Sequence, residues 1–144
     1  LAAHPNIVAM KESGGDIGQI AEVVSRTPDD FIVLAGSATT FFPALCVGAV
    51  GGILAVAGLV PGLCARLMTL VSEGRLAEAR ALQRRLNPLA RSVGTTYGVP
   101  GLKAALDLMG LAGGVPRRPL APAPPSVVEE IRQQLAALGL PIRG

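Results

Sequence analysis

The chain has 144 residues, half of them apolar, which suits one domain, or part of a larger one, with a sizeable core. The formal charge of +3 is modest, and its arginines scatter through the second half without interleaved aromatics, which argues against a nucleic-acid partner. Tryptophan is absent and aromatics make up only 3% of residues, so the core must be built from Leu, Val, Ile and Ala.

The first predicted element is a strand over residues 6–12, Asn6-Ile7-Val8-Ala9-Met10-Lys11-Glu12, which runs into the turn Ser13-Gly14-Gly15. Lys11 and Lys103 are the only lysines, and arginine carries the rest of the positive charge. A lysine at the exit of a buried strand is open to two readings. It can snorkel from the strand end into water. It can also be desolvated, which disfavours an ammonium and frees an amine able to attack a carbonyl carbon and form a Schiff base.

Asp16 then caps a helix through about Ser25, with Ile17, Ile20, Val23 and Val24 on its apolar face. Thr27-Pro28-Asp29-Asp30 makes a turn, and Phe31–Ala35 forms a second strand ended by Gly36-Ser37. Thr39 or Thr40 opens a short helix, and residues 51–56 form a third strand. No charge occurs between Phe31 and Ala65, so Ala44–Ala65 must be weighed as a membrane span. Gly48, Gly51, Gly52, Gly58, Pro61 and Gly62 break that stretch into short pieces, and neither flank carries a clear basic or aromatic anchor. A helix end over Phe41–Val47, a turn, and a buried strand over Gly52–Val56 fit better, because continuous apolar strands belong to parallel sheets covered on both faces.

After Pro61 the pattern is helical. One helix covers about Gly62–Val71 and stops near Gly74. Another runs from Arg75 to about Ser92, with Leu76, Ala79, Leu82, Leu86, Leu89 and Val93 on one face and a possible kink at Pro88. A third covers about Gly101–Met109. The segment VPRRPLAPAPP, residues 115–125, is too rich in proline for regular structure. A last helix begins at Ser126, whose spacing to Glu129 is that of a capping box, and ends before Gly139.

Cys46 and Cys64 both lie in apolar sequence without metal-ligand spacing, which predicts two buried thiols in a reducing compartment. His4 precedes Pro5 near the N-terminus and reads as a loop residue. No basic segment precedes an apolar stretch as in a signal peptide, no initiator Met is present, and the chain enters a strand almost at once. These features predict a cytoplasmic fragment of a longer protein.

Alternating strands and helices with short connections argue for a parallel sheet with right-handed crossovers. The fold class is therefore α/β: the C-terminal portion of a (β/α)8 barrel, with three β/α units in residues 1–60 and a helical extension in residues 61–144. In such barrels function gathers at the C-terminal ends of the strands, where Lys11-Glu12-Ser13, Gly36-Ser37 and Gly52-Ile53 fall. Strand alternation puts Ile7, Ala9, Lys11 and Ser13 on one side, so Lys11 and Ser13 can share a pocket. Two chemistries remain open at this point. One is carbonyl chemistry at Lys11. The other is phosphate binding by Gly36-Ser37-Ala38-Thr39 and Gly51-Gly52. The alternative to both is that the glycines only make turns.

The segments NIVAMKESGGD, VLAGSA and GAVGGILAVAG resemble the C-terminal half of the dihydrodipicolinate synthase and N-acetylneuraminate lyase family of class I aldolases. Gly74–Arg80, Tyr97–Lys103 and Arg118-Pro119-Leu120 fit the same pattern, so the resemblance extends over nearly the whole chain. Within the family, Lys-Glu-Ser-Gly-Gly-Asp and Leu-Ala-Gly-Ser most resemble 4-hydroxy-2-oxoglutarate aldolase. The resemblance implies that Lys11 is the Schiff-base lysine, that Ser13 and Gly36 contact substrate, and that Ile53 contributes to a pyruvate pocket through its backbone. It implies a pyruvate-like 2-oxo acid as substrate, no metal and no organic cofactor, no membrane, and a homo-oligomer for the full-length parent. Lys103 has no catalytic counterpart. The family's carboxylate-binding threonine pair and catalytic tyrosine have no match here, and Gly58 stands where related sequences often have asparagine. The chain alone is therefore expected to be an incomplete enzyme. The alternative within the family is dihydrodipicolinate synthase or a sugar-acid aldolase, and outside enzymology an inactive half-barrel that only assembles.

Overall fold

A computed structural model describes residues 1–143. Three parallel strands form one sheet in the order β1 (Ala9–Glu12), β2 (Ile32–Ala35), β3 (Gly51–Gly52). Ala9 pairs with Ile32 and Glu12 with Ala35, while Leu34 and Ala35 pair with Gly51 and Gly52. Helix α1 (Ile17–Arg26) links the first two strands, and a 3-10 turn (Ala38–Thr40) followed by α2 (Phe41–Cys46) links the second and third. A second 3-10 turn (Ala55–Gly58) leads into α3 (Pro61–Ser72), α4 (Leu76–Arg91), a π turn (Ser92–Thr96), α5 (Gly98–Leu108) and α6 (Pro125–Ala137).

Local chemistry accounts for most boundaries. Asp16 caps α1 by accepting a hydrogen bond from the Gln19 amide at 3.1 Å, as its position predicts. Gly74 ends the α3 segment with φ of +71°, and the next amide, of Arg75, donates to Leu70 O at 2.8 Å. Pro88 inside α4 removes one backbone donor, and the helix widens within a turn, where the Tyr97 amide reaches back to Ser92 O at 3.0 Å. No regular element occurs between Leu111 and Pro124, in keeping with the prolines there.

Four boundaries differ from the sequence expectation. Strand β1 begins at Ala9 rather than Asn6. The third strand pairs only through Gly51 and Gly52, because the chain turns into a 3-10 helix at Ala55. Helix α5 starts at Gly98, since Pro100 falls in the first turn, where a missing N–H costs no helical hydrogen bond. Helix α6 starts at Pro125 with Pro124 as its cap, so Ser126 lies inside the helix and makes no capping hydrogen bond. A proline at the first helical position is pre-set for helix and takes precedence over the serine.

The core is continuous from the sheet into the helical region. Val33 and Ala35 of β2 pack with Ile20 of α1 and Phe41 and Ala44 of α2, and the same cluster extends through Leu67, Leu86, Leu89, Val93, Ile131 and Leu135. Cys64 is buried as expected, and burial pushes its thiol up; Cys46 is exposed, because it is the last residue of a six-residue helix whose buried side is Phe41 and Ala44. Among the described residues no helix is long and apolar enough to cross a membrane. The uncharged stretch is divided among α2, β3, a 3-10 turn and α3.

Candidate functional site

The C-terminal ends of the three strands open onto a cavity of about 300 Å³. Lys11 and Ser13 enter from the end of β1, Gly36, Ser37 and Thr39 from the segment after β2, and Ile53 from the residue after β3. The four residues singled out from the sequence, Lys11, Ser13, Gly36 and Ile53, thus border one space.

Its geometry begins with Glu12. As the strand alternates, Glu12 points away from Lys11 and is buried, 8% exposed. Its carboxylate accepts the Gly14 amide at 2.5 Å and the Gly15 amide at 3.1 Å. A buried carboxylate needs such partners. They pin the turn that directs Ser13 back toward the strand end. Across the sheet, the Gly36 amide donates to Glu12 O at 2.5 Å.

Gly36 is glycine for a steric reason. A Cβ there would overlap Ser13 Oγ and would lie 2.6 Å from Lys11 Cε and 2.9 Å from Glu12 O. The Lys11 stem and the Ser13 hydroxyl therefore lie directly over the Gly36 backbone, so this glycine does more than make a turn.

Lys11 is exposed, which fits a lysine that reaches from the strand end into water and not one desolvated by burial. Only the α1–α2 side of the sheet is fully covered: Val33 and Ala35 are buried, whereas Ile32 and Lys11 are exposed. Ile53 is likewise exposed. Its N–H donates to Ala35 O at 2.9 Å, so a backbone contact from Ile53 to a ligand would use its carbonyl.

Hydroxyl groups line the same cavity as Lys11. Ser37 Oγ and Thr39 Oγ1 are hydrogen-bonded at 3.1 Å, and Thr95 borders the cavity from the π turn. The first of the two glycine loops considered for phosphate binding therefore shares its space with Lys11. Gly51 and Gly52 do not border this cavity, so the two loops do not form one site.

The far wall is the part that sequence reasoning missed. Ala90, Gly94 and Thr95 come from the end of α4 and the π turn, more than fifty residues after β2. Gln83 fixes this approach. Its Oε1 accepts the Phe42 amide at 2.8 Å, and its Nε2 donates to Ala38 O at 2.9 Å and to Asn87 Oδ1 at 2.6 Å. A glutamine on the buried face of an otherwise Leu- and Ala-lined helix is the one sequence signal that could have found it.

The remaining polar residues lie elsewhere. Lys103 donates to Gly113 O at 2.6 Å. Tyr97 donates its hydroxyl to Glu130 Oε2 at 2.6 Å, and that hydrogen bond, more than desolvation, holds its phenol above the ordinary value. His4 is an exposed loop residue whose Nδ1 accepts the Asn6 amide. Among the described residues no group of three or more His, Cys, Asp or Glu side chains could hold a metal ion.

The model of the dihydrodipicolinate synthetase family matches residues 1–138. The chain is 36% identical over 140 residues to the 4-hydroxy-tetrahydrodipicolinate synthase of Archaeoglobus fulgidus, covering 97% of this chain and 48% of that protein. It is 40% identical over 135 residues to the enzyme of the same name from Prosthecochloris aestuarii, covering 94% of this chain and 46% of the relative. Among solved structures, the dihydrodipicolinate synthase of Thermotoga maritima superposes with a TM-score of 0.90 at 36% identity, over 97% of this chain and 48% of that one. A putative dihydrodipicolinate synthase from Thermus thermophilus gives a TM-score of 0.87 at 41% identity, over 99% and 50%. The chain spans about half the length of the relatives it matches. With a family match over nearly its whole length, it belongs to the dihydrodipicolinate synthetase family.

Proposed function

We propose that this chain carries the Schiff-base lysine of a class I carbon–carbon lyase acting on pyruvate-like 2-oxo acids, and that Lys11 is that lysine. The observation that supports this reading is that Lys11, Ser13, Gly36 and Ile53 line one cavity at the strand ends, together with the hydroxyl-bearing Ser37, Thr39 and Thr95. In the proposed reaction the neutral Lys11 amine attacks the keto carbon, a carbinolamine forms, and loss of water gives an imine. Once protonated, the imine withdraws electrons from the neighbouring carbon. Loss of a proton there gives an enamine that adds to an aldehyde, or, in reverse, a carbon–carbon bond breaks to release one. Hydrolysis of the imine returns free Lys11. The chemistry needs no metal or organic cofactor, since the protonated imine is itself the electron sink.

The relatives' names favour a dihydrodipicolinate-synthase type of condensation over aldol cleavage. A second reading, cleavage of 4-hydroxy-2-oxoglutarate to pyruvate and glyoxylate, is supported by Ser13 over Gly36, because a hydroxyl there can hydrogen-bond a hydroxylated substrate. In either reading the parent is a cytoplasmic enzyme that forms homo-oligomers, and residues 1–60 and 61–144 act together, since both border the cavity.

Borohydride reduction in the presence of pyruvate tests the proposal. One adduct per chain, absent from Lys11→Arg, is the expected result; no adduct, or one that persists in Lys11→Arg, would overturn it. Trapping with 4-hydroxy-2-oxoglutarate separates the two reactions. Release of glyoxylate with a pyruvate-sized adduct supports cleavage, and an adduct of the uncleaved acid alone contradicts it.

A further inference from the structure

A second cavity, of about 380 Å³, lies on the helical side of the molecule between α5, α6 and the proline-rich segment that joins them. It shares no lining residue with the Lys11 cavity. Pro100, Leu108, Pro116 and Val128 give it apolar walls, and three cations converge on it from separate elements: Lys103 from α5, Arg132 from α6 and Arg143 from the tail. Asp107 is the only anionic side chain that lines it.

The wall is built by specific bonds. Asp107 Oδ1 accepts the Gly113 amide at 2.9 Å and the Gly114 amide at 3.2 Å, so its charge is directed at the backbone of the joining segment. Lys103 Nζ donates to Gly113 O at 2.6 Å. An ammonium has three donors, so two remain after this bond. Gly113 packs so closely on α5 that a Cβ there would overlap the Lys103 carbonyl oxygen, so the segment docks only because this residue is glycine. Arg143 is placed by its own amide, which donates to Leu108 O at 2.8 Å. Arg132 meets Glu129 at 3.4 Å through Nε, which leaves the outer edge of its guanidinium fork free of that contact. An apolar, largely pre-formed space with a few converging polar groups is the usual build of a small-molecule site. An excess of cations with guanidinium forks suits a carboxylate.

We propose that this cavity is a binding site for a small organic carboxylate with a compact apolar body, its charge held by Arg143, Arg132 and Lys103 and its body by the proline and aliphatic walls. The site is separate from the carbonyl chemistry assigned to Lys11 and does not depend on it.

Benzoate, benzamide and inorganic phosphate are the probes, titrated against the isotope-labelled 144-residue chain with amide shifts as readout. Benzoate is expected to saturate one site, with shifts centred on Leu108, Gly113 and Gly114. Exposed Arg143→Gln should weaken it roughly tenfold, the loss of one charge-assisted contact, and should leave the unliganded spectrum otherwise intact. Arg132→Lys should retain part of the affinity that Arg132→Gln loses, a difference that disruption of the helix would not produce. Equal binding of benzamide would overturn the role of the cations, and equal binding of phosphate would overturn the role of the apolar walls. Shifts centred on Gly36 and Gly94, or no saturation, would overturn the site itself.

Discussion

The strand-bearing region and the helical region use the same aliphatic residues to different ends. In the helical region Leu67, Leu86, Leu89, Ile131 and Leu135 are fully buried, packed between helices on several sides. In the strand-bearing region one sheet face is buried and the other is open: Val33 is 2% exposed, but its neighbour Ile32 is 42% exposed. The outer edges of β1 and β3 are unpaired among the described residues, and exposed edges of this kind invite further pairing. The helical region is therefore packed as a closed core, while the sheet carries the residues of the proposed chemistry. A lysine amine and hydroxyls can meet a ligand only on a face that the chain leaves uncovered.

The sharpest way to break this comparison is to remove the same bulk from each region. Ile131→Ala should leave a hole in a fully buried site and cost about 2–5 kcal/mol, read by urea unfolding. Ile32→Ala, on the open side, should change stability by less than about 0.5 kcal/mol. Equal losses would mean that the two regions are packed alike.

The contact between the regions is the next target. Gln83→Leu keeps bulk but leaves the Phe42 amide and Ala38 carbonyl without their partner, at about 1–3 kcal/mol for each group that stays dry. Because Ala38 borders the Lys11 cavity, the same variant should also slow trapping by pyruvate. A stability loss with unchanged trapping would show that α4 supports the fold without shaping the site. Gly36→Ala should do the reverse. Its overpacking costs about 1–3 kcal/mol, but trapping at Lys11 should fall much further, because the added methyl occupies the space of Lys11 Cε and Ser13 Oγ.

The smallest effect concerns Tyr97. It is the only tyrosine and there is no tryptophan, so phenolate absorbance reports this residue alone. Its bond to Glu130 favours the neutral phenol and places the titration above the ordinary value of about 10. The stabilisation is complete below the unfolded value and is lost as pH rises through the higher folded one. Glu130→Gln should lower the titration midpoint toward the ordinary value, and an unchanged midpoint would contradict the assignment.

Much of this was legible in the chain. The Lys-Glu-Ser-Gly-Gly-Asp run placed a lysine and a serine on one side of a strand end, and Asp16 announced α1, because these are local signals of alternation and capping. The third strand and the start of α6 were read less well. Gly51-Gly52-Ile53-Leu54 carries strand-like hydropathy but turns after two pairs, and Ser126 yielded to Pro125. The far wall of the cavity was not legible, since Gly94 and Thr95 come to border it only after α3 and α4 fold back. Residues that follow neither a period of two nor one of 3.6 leave no local mark of such a long-range approach. The uncovered face of the sheet was missed for a related reason. Periodicity tells which side chains share a face, and says nothing of whether a second layer covers it.

The central claim is that this chain by itself builds a site that directs a carbonyl to Lys11. The most direct test is the distribution of borohydride-reduced pyruvate among Lys11, Lys103 and the N-terminal amine, mapped by peptide mass across a pyruvate titration. The account predicts saturable labelling concentrated on Lys11 and not on Lys103 or the N-terminal amine. Unsaturable labelling spread over all three amines would contradict it.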